Sequence, residues 1–248
     1  MPAKYLLWDA SVVVPCYVPE ATRNPKVPER ARVILDSIRN HRYDAFCYLS
    51  NIVIAEVFAN FARECYSRWD RQVNQRYGGR GKTLDTRRYN SAVTKFHADI
   101  HNGALFYQIE VDRHHVMALD LIAPVDKHRK FYRNRNVRSM GASDLLLGAI
   151  GIHLVKIHGR ENVLLLTADA RMGVIFSRAC PDLNPNTAKK LKLIQRAEEL
   201  SLGPWGPGIY PHVLDLQRCT TPDLQEVFGE WPLKTRKTRG RKLNRSGT

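Results

Sequence analysis

Tyr5-Leu6-Leu7-Trp8-Asp9-Ala10-Ser11 is an apolar run that stops abruptly on a carboxylate, with a hydroxyl two residues further on. A run this short, bounded by polar residues, reads as a buried strand. In an open parallel sheet, ligands gather beyond the carboxyl ends of the strands. Asp9 belongs at such an end. The rest of the chain is read for what else arrives there.

Outward from this run, residues 45–49 (Ala-Phe-Cys-Tyr-Leu) read as a second strand, after which Ser50 or Asn51 caps a helix that carries Glu56. Val163-Leu164-Leu165-Leu166-Thr167 reads as a central strand, with Asp169 two residues past its end. Ser143-Asp144 opens a helix running to about His158 that is apolar on nearly every side, the pattern of a buried crossover. Val213–Leu216 is a candidate edge strand. Helices are expected at about 29–39, 171–178 and 187–200, a loop or short helix at 11–17, and a short apolar segment at 121–125 ending on Asp126. Strands alternating with helices from residue 5 to about 216 predict a doubly wound α/β fold with a mainly parallel sheet.

The stretch 63–138 is different in kind. It is rich in basic residues and reads as two helical arms joined by Gly78-Gly79-Arg80-Gly81-Lys82, followed by a further helical part in which 105–111 is either helix or strand. The expected organisation is a single domain over 1–233 with this inserted, mostly helical basic segment, and a disordered basic tail over 234–248 that lacks acids.

The chain has 248 residues and a formal charge of +15. An excess this large points to a polyanionic partner, nucleic acid before a membrane surface. Five scattered cysteines without CxxC spacing argue against a disulfide framework and against a zinc ribbon. No signal peptide is legible and no apolar run approaches bilayer length. The expectation is a cytoplasmic protein in a reducing compartment, with no membrane partner.

Four acids share a position in this scheme. Asp9 ends the first strand, Glu56 follows the second, Asp144 opens the buried helix and Asp169 follows the central strand. Parallel topology can bring them to one pocket. Two carboxylates about 4 Å apart repel by roughly 4 kcal/mol at an effective dielectric near 20, so such a set takes up protons or binds a cation. Oxygen ligands without His or Cys select Mg²⁺ or Mn²⁺, and such an ion beside a basic groove suits phosphodiester hydrolysis. The groove is read in Lys127, Arg129, Lys130, Arg133, Arg135 and Arg138, a run without acids directly before Asp144, with Tyr132 available to stack on a base. In the tail, Lys234, Arg236, Lys237, Arg239, Arg241, Lys242 and Arg245 add non-specific affinity.

The segments LLWDASVVV, LSNIVIAEVFANF, SMGASDLLLGAI and LLLTADARM resemble the successive acidic motifs of the PIN-domain nucleases. The resemblance covers about residues 4–60 and 140–177, plus the last strand. It implies a doubly wound fold whose acids bind Mg²⁺ or Mn²⁺ and cleave RNA, or DNA in some branches. It implies Asp9, Glu56, Asp144 and Asp169 as the metal-site acids and Ser11 and Thr167 as supporting hydroxyls. It further implies a toxin countered by an antitoxin, or an RNA-processing factor; a larger complex or a second copy of the chain are further candidate partners. Many members carry another acid one helical turn after the third motif, where this chain has Gly148.

Other readings stand beside this one. Singly, Asp9 is also a plain strand-end acid, Glu56 lies on a face with Asn60 and Arg63 that suits solvent, and Asp144 and Asp169 sit where an acid caps a helix without further function. His97-x-x-x-His101 has ligand spacing but no third ligand. The glycine-rich stretch lacks the preceding strand of a nucleotide loop. The main alternative is a PIN-like subunit that binds nucleic acid without cutting it. An Asp-dependent phosphotransferase would want a second Asp where Ser11 stands.

Overall fold

The run at the start of the chain forms the central strand of one parallel sheet. A computed structural model describes residues 4–77, 86–103, 105–128, 139–180 and 183–233. The chain order is β1 (Tyr5–Trp8), α1 (Ala10–Tyr17), α2 (Lys26–Arg39), β2 (Phe46–Ser50), α3 (Asn51–Tyr77), α4 (Arg87–Ile100), β3 (Phe106–Ile109), α5 (Arg113–Ala118), α6 (Ala123–Lys127), α7 (Ala142–His158), β4 (Val163–Thr167), α8 (Ala170–Val174), α9 (Pro185–Lys190), α10 (Leu193–Glu199), β5 (His212–Asp215) and α11 (Thr221–Phe228).

The sheet order is β3-β2-β1-β4-β5, parallel throughout. Leu6, Leu7 and Trp8 of β1 and Leu165 and Leu166 of β4 are fully buried. Strands covered on both faces carry apolar residues at consecutive positions instead of alternating ones, which explains their sequence. The chain adds β2 and β3 on one side of β1, then crosses back to place β4 on the other. The reversal puts the ends of β1 and β4 side by side, the location where open α/β sheets form crevices.

The helices follow from local signals. Ser50 accepts the Val53 N–H at 3.2 Å and so caps α3. α2 starts at Lys26, ahead of the expected 29, and buries Val27, Ala31, Ile34 and Leu35 along one face. Residues 10–17 take the helical option despite Pro15. The two arms are α3 and α4, joined by rings: Phe96 meets Phe58 at 5.4 Å and Phe61 at 5.7 Å between centroids. Tyr17 donates to Asp99 at 2.7 Å and Arg39 pairs with the same carboxylate at 2.9 Å, tying α1 and α2 to α4. The glycine-rich stretch 78–82 lies outside the described residues.

Two expectations change, and one unassigned segment gains an element. The open question at 105–111 resolves as β3, so the stretch expected to be mostly helical contributes an edge strand to the sheet. The short apolar segment 121–125, for which no element was named, is helical, with Pro124 in the first turn of α6. The helix expected over 187–200 breaks in two at Lys192, whose φ of 58° is left-handed. Among the described residues, no helix is long and apolar enough to cross a membrane. The tail 234–248 lies outside the described residues.

α7 passes deep through the core, and its glycines are contact points. A Cβ on Gly148 would lie 2.4 Å from the Phe176 ring and 2.9 Å from Ile122. The position one turn after Asp144 therefore faces packed side chains. That explains why no acid stands there: a carboxylate at 148 would have neither room nor water.

Candidate active site

Asp9 is the first residue after β1 and is 5% exposed. Its backbone is extended, and its side chain turns away from the free N–H groups of α1 toward β4. Ser11 and Thr167 both donate to Asp9 Oδ2, the latter at 2.7 Å. Each hydroxyl also accepts from the backbone beyond β4: Ser11 from the Ala168 N–H at 2.8 Å, Thr167 from the Asp169 N–H at 2.9 Å. Two hydroxyls thus fasten the ends of β1 and β4 to one carboxylate oxygen. Among the described residues the other oxygen, Oδ1, has no donor.

Glu56 sits on α3 two turns from its cap and lines the same cleft as Asp9, Asp144 and Asp169. Asn60 and Arg63 line it too, so the polar face of α3 forms one wall of a cleft of about 430 Å³. The face that suited solvent in the sequence is the face turned to the other acids. Asp144, in the first turn of α7, accepts the Gly141 N–H at 3.0 Å. Asp169, ahead of α8, accepts the Arg171 N–H at 2.7 Å. Both acids therefore serve as caps and also line the cleft. The four acids come from four separate parts of the chain, and all lie beyond the carboxyl ends of β1, β2 and β4 or at the adjoining start of α7.

The electrostatics follow from this crowding. Burial pushes Asp9 above the usual carboxylate range, against the bonds from Ser11 and Thr167, and the charges of Asp144 and Asp169 push the same way. Glu56 is raised by burial first and by Asp9 and Asp144 next, with Arg63 opposing. Asp144 is raised by burial, and Asp169 adds to it. Burial would raise Asp169 as well, but its hydrogen bonds and charge contact with Arg171 outweigh that and hold it below the usual range.

Arg171 is the residue that sequence reading missed. Its Nε lies 3.1 and 3.0 Å from the two oxygens of Asp169, and its Nη2 pairs closely with the second of them. The same Nη2 is 3.5 Å from Asp144, and Nη1 donates to the Ser139 carbonyl at 3.2 Å. One signal was available: Arg171 stands in the first turn of α8, where the helix dipole disfavours a cation unless an anion holds it.

The donor chemistry fits a hard divalent cation, since every acid offers oxygen and Asp9 presents one without a donor. The present arrangement is not itself a closed cage. Among the described residues, no three His, Cys, Asp or Glu side chains are placed to share one ion. His97 rests on the Phe58 ring at 5.1 Å, and Asp99 beside it belongs to Tyr17 and Arg39.

Of the expected nucleic-acid contacts, Lys127 is exposed and donates to Ser139 Oγ at 2.6 Å. Beside it, buried Asp126 accepts the Met140 N–H at 3.0 Å. These two bonds tie residues 126–127 to residues 139–140. Arg129, Lys130, Arg133, Arg135 and Arg138, and Lys234, Arg236, Lys237, Arg239, Arg241, Lys242 and Arg245 of the tail, lie outside the described residues.

No family model matches the chain, and no curated protein matches it. Among solved structures, it is similar to a chain of VapBC2 from Rickettsia felis, described as bound to a DNA fragment from their promoter, with 12% identity over 69% of this chain and 92% of that chain and a TM-score of 0.42.

Proposed function

We propose that the cleft is the active site of a PIN-like endonuclease that depends on Mg²⁺ or Mn²⁺ and hydrolyses phosphodiester bonds, RNA ahead of DNA. The observation that carries this reading is the convergence of Asp9, Glu56, Asp144 and Asp169 on one cleft at the point where the strand order reverses. Three of the four acids resist ionisation where they stand. Such a set is suited to a counter-cation.

In this reading Asp9, Asp144 and Asp169 would hold the ion, and Glu56 would hold it or orient the attacking water. When bound, the ion would supply Lewis-acid stabilisation of charge on the phosphate and lower the pKa of water. Ser11 and Thr167 fix the plane of the Asp9 carboxylate, so that Oδ1 faces the cleft without searching rotamers. Arg63 on the α3 wall can meet a phosphate oxygen. The basic run and tail would lead the strand in by charge. The biological settings this chemistry serves are a toxin restrained by an antitoxin and an RNA-processing factor.

A second reading, a PIN-like subunit that binds nucleic acid without cutting, is favoured by two observations: Gly148 leaves no place for a further acid, and Arg171 covers Asp169. Cleavage of end-labelled single-stranded RNA and DNA with Mn²⁺ separates the two. The nuclease reading expects Mn²⁺-dependent cutting that Asp9→Asn abolishes while binding persists. Cutting by Asp9→Asn at the wild-type rate would remove the site assignment; binding without any cutting by wild type would favour the second reading.

A further inference from the structure

We propose that Arg171 is a resident counter-cation of the acidic cleft: it holds Asp169 by its fork and has to be displaced before a divalent ion can use that carboxylate. The proposal rests on the metal-site reading of the cleft given above and goes beyond it.

The geometry leaves Asp169 little else to offer. Nε contacts both of its oxygens and Nη2 takes the second, while the Arg171 N–H takes the first. A carboxylate engaged along its whole outer edge by a guanidinium keeps little lone-pair capacity for an ion. The two cations therefore compete for the same atoms. The separation in sequence makes the pair local: Asp169 precedes α8 and Arg171 lies in its first turn, so the pair closes without help from distant segments. Arg171 also lies within reach of Asp144 and of the Ser139 carbonyl. Its departure would free acceptors on Asp169 and Asp144, both of which line the cleft, and the Ser139 carbonyl.

The arrangement has a physical reason. Without a cation, Asp9, Asp144 and Asp169 repel one another in a partly dry cleft. A tethered guanidinium relieves that repulsion while no metal is bound, and makes the site less open to metal. The Arg171 side chain is about one-third exposed, so one side of the guanidinium already meets solvent.

Charge alone and fork geometry make different forecasts, and two substitutions separate them. Arg171→Met removes both. Arg171→Lys keeps the charge but cannot hold two oxygens in a planar fork. After chelation and dialysis, Mn²⁺ affinity is measured by calorimetry, and the Mn²⁺-induced rise in melting temperature is followed alongside. The proposal expects affinity to rise about tenfold in Arg171→Met and severalfold in Arg171→Lys, with a larger Mn²⁺-induced stabilisation in both. Wild-type affinity in both variants overturns it. A gain confined to Arg171→Met assigns the effect to bulk charge and overturns the fork. A loss of affinity in both makes Arg171 a support for the site and overturns it as well. Asp9→Asn keeps the two levels apart: if it binds Mn²⁺ as wild type does, the metal-site reading falls, whereas unchanged Arg171 variants over an Asp9-dependent site sink only the proposal.

Discussion

Thr167 offers the sharpest test of how the cleft is built. Its hydroxyl is fully buried, donates to Asp9 at 2.7 Å and accepts from the Asp169 N–H at 2.9 Å. Thr167→Val keeps the shape and removes both bonds. The lost donor to a carboxylate costs about 1.5–3 kcal/mol, and the backbone N–H left without its acceptor adds about 1–3 kcal/mol. The two share one atom, so their sum overstates the effect; about 2–4 kcal/mol of lost stability is expected. For a chain of this size that is a fall in melting temperature of about 4–16 °C. Thr167→Ser keeps the hydroxyl and gives up one buried methyl, about 1 kcal/mol. Urea unfolding at pH 7 in the presence of a chelator measures both. If Thr167→Val costs no more than Thr167→Ser, the hydroxyl does not join the two strand ends and the account of the cleft is wrong.

Other outcomes follow from the same structure. Gly148→Asp will not restore a missing ligand, because its Cβ would meet Phe176 at 2.4 Å; the variant is expected to lose several kcal/mol, about 3 or more, to overpacking and a buried charge, read as a lower urea midpoint. Asp9 titrates above its unfolded value, so the unfolded chain releases this proton first and the native state loses stability as pH rises from about 4 through the raised folded value. Without divalent metal, Asp9→Asn should therefore gain on wild type in melting temperature between pH 4 and 8; a pH-independent difference would refute the assigned direction. Removing residues 234–248 should flatten the salt dependence of single-stranded RNA binding: about five tail contacts correspond to a log–log slope contribution near −3.5. An unchanged slope would mean that the tail does not contact phosphates.

The central strands were legible because burial on both faces leaves a compact apolar signature, clear at Tyr5–Trp8 and Val163–Thr167. Ser50 announced α3 by its chemistry, and the apolar run after Asp144 announced a buried α7. The order of the four acids followed from topology, so their meeting in one cleft was readable in advance. β3 was not, because a four-residue edge strand with Phe106 inside and Tyr107 outside carries too few residues to separate periods of 2 and 3.6. Leu121–Asp126 imitated β1, an apolar run closed by an acid, yet its Asp126 turns inward to hold Met140. Arg171 was hidden for a different reason: its importance lies in a rotamer, and no pattern of residue types records which way a guanidinium folds back.

The fastening of β1 to β4 has a consequence for synthesis. The partners Thr167 and Asp9 are 158 positions apart. A ribosome delivers Asp9 and Glu56 early, but the neighbour that completes the pocket wall arrives only after α7 has been made. Until then one edge of the first strand stays open and the acids have no common centre, a period in which a nascent chain with long-range parallel pairing depends on protection from aggregation. If the chain cuts RNA, this late closure keeps it harmless to the message being translated until β4 has emerged.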